Sequence, residues 1–199
     1  MTDNTAAEMR LSRRLTLLAP ALLGLSWPSA ASAAQSRGSR RAPSLSLQDR
    51  AAIQDLFASY LWAYDCSDED GFIELFTDDC MVVGLGRHHI GEEALRVWFR
   101  YLLNLRDTAG DFWLHEAGQF RFEGDGRTCV VYAYATHFRS HPGSREMGVR
   151  SLGYFVNECV KTGGVWKFRR LTINQWDNHA QPWKKPKPWE IPNVGAPGR

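Results

Sequence analysis

Residues 112–140 read FWLHEAGQFRFEGDGRTCVVYAYATHFRS, and this stretch decides the fold. It holds two runs rich in aromatic and β-branched residues, Phe112 to Phe122 and Thr128 to Ser140, separated by Gly124-Asp125-Gly126. Such runs on either side of a glycine-rich turn predict a hairpin. The pattern continues downstream. His141-Pro142-Gly143-Ser144 turns the chain, Met147 to Lys161 reads as a third strand, Gly163-Gly164 turns it again, and Val165 to Trp176 reads as a fourth. The carboxy-terminal half is therefore expected to be a long antiparallel meander.

Upstream the period changes from two to 3.6. Ser46-Leu47-Gln48-Asp49 is a capping box with Asp in place of the usual Glu. Ile53, Leu56, Phe57, Tyr60, Leu61 and Tyr64 then form one apolar helical stripe, which Asp65 extends. A second helix starts within Ser67 to Asp70, buries Phe72, Ile73, Leu75 and Phe76, and is expected to end at Asp78-Asp79. Cys80 to Leu85 reads as a short strand, and a third helix runs from Gly91 to about Leu105. Three helices followed by a meander define an α+β fold. The expectation is a cone-shaped fold, with three N-terminal helices packed on a curved antiparallel sheet that encloses a pocket.

The flanks read differently. Arg10, Arg13 and Arg14 precede an apolar run from Leu15 to Trp27, and Ala31-Ser32-Ala33 supplies small residues at a cleavage spacing. Residues 1–33 are thus expected to be an export signal, with an uncleaved membrane anchor as the alternative. The mature protein would be periplasmic or secreted with no stable membrane anchor, and Ser12-Arg13-Arg14 fits a twin-arginine route, although Thr16 departs from it. Residues 34–44 read as a flexible linker, 45–177 as the domain, and 178–199 as an extended tail with five prolines and two Trp that cannot be helical.

Composition narrows the function classes. The 199 residues carry 24 basic and 22 acidic side chains, a net charge of +2, so no nucleic-acid partner is expected. There is no CxxC, HxH or HExxH spacing, so no metal is expected, and His88-His89 and His141 read as surface loop features. Gly84-Leu85-Gly86 is too short to be a nucleotide fingerprint, and no cofactor is implied. The four cysteines, Cys66, Cys80, Cys129 and Cys159, fit either disulfides or buried thiols. A fold near the middle of the His141 turn would set Cys129 opposite Cys159 on neighbouring strands, where a bond is geometrically possible.

Several motifs carry a family resemblance. Arg50-Ala51-Ala52-Ile53-Gln54-Asp55-Leu56, then Tyr64-Asp65, then Asp78-Asp79, and finally Gly164-Val165-Trp166-Lys167-Phe168 resemble SnoaL-like domains of the nuclear transport factor 2-like superfamily, over about Leu45 to Trp176. Within that superfamily the chain is most similar to hexachlorocyclohexane dehydrochlorinase and scytalone dehydratase, cofactor-free lyases with an Asp–His pair. The resemblance puts that pair at Asp65 and His115, with Tyr64 beside the acid and Asn174 as the amide residue. It puts Tyr154 where the dehydratase has a second histidine, on the third long strand, and Tyr60 where the dehydrochlorinase has a lysine. It also implies a homo-oligomer paired through the outer face of the sheet.

The residues alone allow the same centre, while a lone strand histidine such as His115 is more often a hydrogen-bonded or surface residue. Asp65 ends an apolar stripe at a helix C-terminus, where burial and the macrodipole both disfavour its charge. A histidine or arginine across the cavity would compensate, and a carboxylate on one imidazole nitrogen makes the other a general base. Alternatively, Asp65 caps a turn near Ser67 and Asp68. Strict alternation puts His115 on the face away from Phe120 and Phe122, so a β-bulge near Gly118 is required to bring them together. Tyr60, Tyr64, Tyr134, Tyr154, Asn174, Trp176 and His137 are the candidate substrate-binding residues. The expected activity is a cofactor-independent lyase or isomerase, dehydratase- or cyclase-like, acting on a small apolar cyclic substrate. Two alternatives remain: a non-catalytic small-molecule-binding module, and a structural partner like the β-subunits of ring-hydroxylating dioxygenases, which export counts against.

Overall fold

The computed structural model describes residues 44–143 and 146–193. The expected export segment and nearly all of the linker lie outside the described residues. The first helix, α1 (Leu47–Asp65), starts where its cap predicts: Ser46 Oγ accepts from the Asp49 amide at 3.0 Å. Its buried stripe runs through Ile53, Leu56, Phe57, Tyr60 and Tyr64. Ser67, at φ 63°, stops it, with the Asp68 amide bonded back to the Ala63 carbonyl at 2.8 Å. Helix α2 (Glu69–Glu74) follows, capped by Asp68.

The next segment differs from expectation. Asp78 and Asp79 do not end a helix; they lie inside strand β1 (Phe76–Gly84). Phe76, Cys80 and Val82 are its buried residues, while Asp79 faces out to meet Arg169 at 2.9 Å. Leu85 and Gly86, both at positive φ, turn the chain into β2 (Arg87–Ile90), so His88 and His89 sit in a strand rather than a loop. Helix α3 (Gly91–Ala109) runs four residues beyond Leu105 and ends at Gly110, whose φ of 66° suits glycine.

The meander forms as expected from β3 (Phe112–Gly124), β4 (Thr128–Ser140), β5 (Met147–Thr162) and β6 (Val165–Gln175). The sheet order is β2-β1-β6-β5-β4-β3. One pair departs from the antiparallel expectation: β1 runs parallel to β6, because the chain reaches β6 only after the whole meander has turned back on itself. Four irregularities interrupt the sheet, one of them between Phe76 and Met81 where β1 meets β6, and the three in the meander each add one residue to a strand. The extra residues fall between Gly118 and Arg121 on β3, between Val149 and Ser151 on β5, and between Phe168 and Arg170 on β6. The helices cover the concave face, and the core between them centres on Phe57, Phe72, Phe99, Leu95 and Phe168. Edge-to-face aromatic contacts join Phe57 to Phe120, Phe155 and Phe168 at 5.1–5.5 Å.

The tail is not wholly extended. Pro182–Lys184 and Pro188–Glu190 form single 3-10 turns, because proline at the first position supplies the required φ and gives up an amide that has no partner there. Trp183 and Trp189 pack on Tyr132, Tyr154 and Val156, on the convex face. Cys129 does sit opposite Cys159, as the register argument requires, and both thiols are free and buried. Among the described residues no helix is long and apolar enough to cross a membrane.

Candidate active site

The end of α1 meets the edge strand of the sheet at Asp65. Its Oδ1 lies 2.6 Å from His115 Nδ1, and its Oδ2 accepts the His115 backbone amide at 2.9 Å. One carboxylate thus fixes both the ring and the main chain of its partner. Each of the two side chains is only 16% exposed. An ionised carboxylate can only accept, so Nδ1 is the donor to it, and in the neutral imidazole Nε2 then keeps its lone pair. The turn-capping alternative for Asp65 is excluded, since the turn is closed by backbone bonds and by Arg106. Arg106 reaches over from α3 to the Asp65 carbonyl and to Ser67 Oγ at 2.8 Å. That guanidinium offsets the unfavourable dipole at the helix terminus.

The bulge required by the sequence is present. Gly118 pairs with Tyr134 and Arg121 with Tyr132, so β3 holds one extra residue, and Gln119 takes φ 52°. This phase change is what puts His115 and Ala117 on the same face as Phe120 and Phe122, toward the core.

His115 lines a cavity of about 360 Å³ between the helices and the sheet, together with Tyr60, Tyr64, Trp98, Trp113 and His137. His137 is the cross-strand neighbour of His115, and the two rings stack with centroids 4.3 Å apart. Burial, the nearby His115 and Arg150 pull the His137 pKa down to about 4. Tyr64 lies 4.8 Å from the His115 ring, and burial together with Asp65 raises its phenol pKa. A second imidazole thus stands beside His115 from the second long strand, as His137.

The remaining candidates divide. Tyr60 reaches the cavity, but its ring is buried among Phe72, Phe76, Phe155 and Phe168. Asn174 borders the cavity. Its register partner is Tyr154, however, and its amide donates to Thr172 Oγ1 at 3.1 Å rather than into the space. Tyr134, Tyr154 and Trp176 are not in the cavity at all. They line a separate pocket of about 270 Å³ on the convex face, under the tail. The reason is the period of two: once His137 points inward, Tyr134 must point outward, and its partner Tyr154 follows.

Sequence reasoning missed two wall residues, Trp113 and Trp98, and reached a third, Arg150, only by alternation on the face of Tyr154. Trp113 shares the His115 face, two positions away, and alternation alone could have found it. Trp98 needs Gly84: a Cβ there would come within 2.5 Å of the indole, so the glycine makes room for this wall. Arg150 is the extra residue of the β5 bulge, and no sequence signal announces it. Its guanidinium lies over the Trp113 ring, 4.4 Å from the centroid. Among the described residues no group of three His, Cys, Asp or Glu side chains could hold a metal ion.

Comparison with known proteins agrees with this architecture. Residues 45–172 match the SnoaL-like domain. No curated protein matches the chain in sequence. Among solved structures, a protein assigned as a scytalone dehydratase from Novosphingobium aromaticivorans is 18% identical, with 68% of this chain and 91% of that one covered and a TM-score of 0.54. A nuclear transport factor 2-like protein with a cystatin-like fold from the same species is 21% identical, with 67% and 86% covered and a TM-score of 0.59. ActVI-ORFA from Streptomyces coelicolor is 12% identical, with 69% and 100% covered and a TM-score of 0.58.

Proposed function

Because the chain belongs to the SnoaL-like domain family, we propose that it is a cofactor-independent lyase or isomerase in which Asp65 and His115 form the general base. The single observation that carries this reading is the 2.6 Å carboxylate–imidazole contact at the wall of the cavity between helices and sheet. In the proposed reaction, neutral His115 takes a proton through Nε2 from a carbon beside a carbonyl or leaving group. Asp65 holds the imidazole in the required tautomer and stabilises the imidazolium that forms. His137, kept neutral by burial and by its charged neighbours, sits within reach of the same substrate. Two stacked imidazoles resist carrying charge together, so a proton on His115 is readily passed on to a leaving group. The flat walls of Trp98, Trp113 and Tyr64 suit a small cyclic substrate.

Proton abstraction can be tested without knowing the leaving group. In deuterated water the protein should accelerate hydrogen–deuterium exchange at the carbon beside the carbonyl of 2-tetralone, followed by NMR. The acceleration should fall on the order of 10²–10⁴-fold in Asp65→Asn and in His115→Ala. Exchange no faster than in buffer, or equal rates in all three proteins, contradicts the reading. Binding without exchange would leave a ligand-binding module.

A further inference from the structure

Among the described residues Arg150 meets no counterion. Arg96, Arg100, Arg106, Arg121, Arg139 and Arg169 each meet a carboxylate, whereas Arg150 forms no ion pair with the described residues. It also lies on the cavity side of the sheet only because of the bulge. Val149 pairs with Phe138 and Ser151 with His137, so Arg150 is the unpaired extra residue between them. In regular alternation it would share the outward face of Leu152 and Tyr154. Instead its guanidinium stacks on Trp113 at the mouth of the cavity. Stacking uses the face of a guanidinium and leaves its N–H edges free. The acids nearby are already committed: Asp65 to His115, and Asp111 to Arg139 and His141. Glu116 borders the cavity but is exposed, and with its partner Thr136 it alternates out of phase with His115 and His137. The wall beneath Arg150 is also short of partners, since Trp113 Nε1 and His137 Nε2 are both buried without one.

On the reading of this cavity as the active site, we propose that its substrate is a small cyclic carboxylate whose anionic group is held by Arg150, with its ring against the aromatic walls. A single planar fork matches one carboxylate, while a phosphate dianion would want a second cation that this cavity does not offer. The clamp stands on β5, beyond the β4 neighbour of the base, so it would also orient the ring relative to His115.

The test uses the full chain and two matched probes, 2-naphthoate and the neutral 2-naphthamide, titrated calorimetrically at low and high salt. Wild type should bind the naphthoate about tenfold or more tightly at low salt, as expected for a charge-assisted hydrogen bond. Salt should erode that preference. Arg150→Met should abolish it while sparing the amide, and Arg150→Lys should restore part of it. Asp65→Asn should retain it, which separates the anion clamp from the base. Equal affinity for the two probes, no binding of either, or a preference that survives in Arg150→Met would overturn the proposal.

Discussion

Asp49 and Asp65 sit near opposite ends of one helix, both largely buried, yet they are satisfied in opposite ways. Asp49 lies in the first turn, where the macrodipole favours an anion, and it meets Ser46 Oγ at 2.7 Å, Lys161 Nζ at 2.8 Å and Trp166 Nε1 at 2.9 Å. Those donors hold its pKa well below the usual carboxylate range. Nothing there changes protonation near neutral pH. Asp65 lies in the last turn, where the dipole is unfavourable, and its side chain meets one backbone amide and one imidazole. A fixed cation makes Asp49 a fastening between α1 and the far end of the sheet. A titratable ring, with a cavity beyond it, makes Asp65 a place where a proton can move.

The largest expected difference is in chemistry. Asp65→Asn should slow the tetralone exchange on the order of 10³-fold and leave the melting temperature nearly unchanged, because an amide of the same shape can still accept the His115 amide proton. Asp49→Asn should do the reverse. It leaves Lys161 and the Trp166 indole with a weaker partner, and a loss of about 1–2 kcal/mol in urea unfolding is expected, with the exchange rate per folded molecule unchanged. If the two variants trade phenotypes, the distinction between fastening and base is wrong.

Acid should sharpen the contrast. Asp49 has a lowered folded pKa, so its contribution is complete above the carboxylate range and is lost as the pH falls through that range. His137 acts earlier. Its folded pKa of about 4 lies below the ordinary histidine value of 6.5, so the unfolded chain takes up the proton first, and stability falls as the pH drops from about 6.5 toward 4. His137→Gln should flatten that window in urea titrations while leaving the lower-pH loss. The smallest effect expected is from Lys161→Met, whose ammonium is one-third exposed: a loss of about 0.5–1 kcal/mol.

The order of elements was legible because period and turn residues agree along most of the chain. The bulge at Gly118 was legible for a sharper reason. His115 and Phe120 cannot share the inner face without it, and the core needs both. The errors came where local pattern and tertiary pairing part. Asp78-Asp79 reads as a helix stop, but both lie inside β1, in the irregularity between the Phe76 and Met81 pairings with β6. Tyr134, Tyr154 and Trp176 look like pocket residues by type, yet alternation from His137 sends them to the convex face. Alternation puts Arg150 on the face of Tyr154, and its separation from Tyr154 could not be foreseen, because a bulge facing an unremarkable strand leaves no mark on composition or period.

The tautomer of His115 tests the central claim most directly, and it needs no substrate. In long-range nitrogen–proton NMR spectra at neutral pH, the wild-type ring should show a protonated Nδ1 and a bare Nε2. In Asp65→Asn that preference should collapse toward the ordinary mixture. A wild-type ring protonated at Nε2, or one averaging between tautomers as freely as it does without Asp65, would contradict the account.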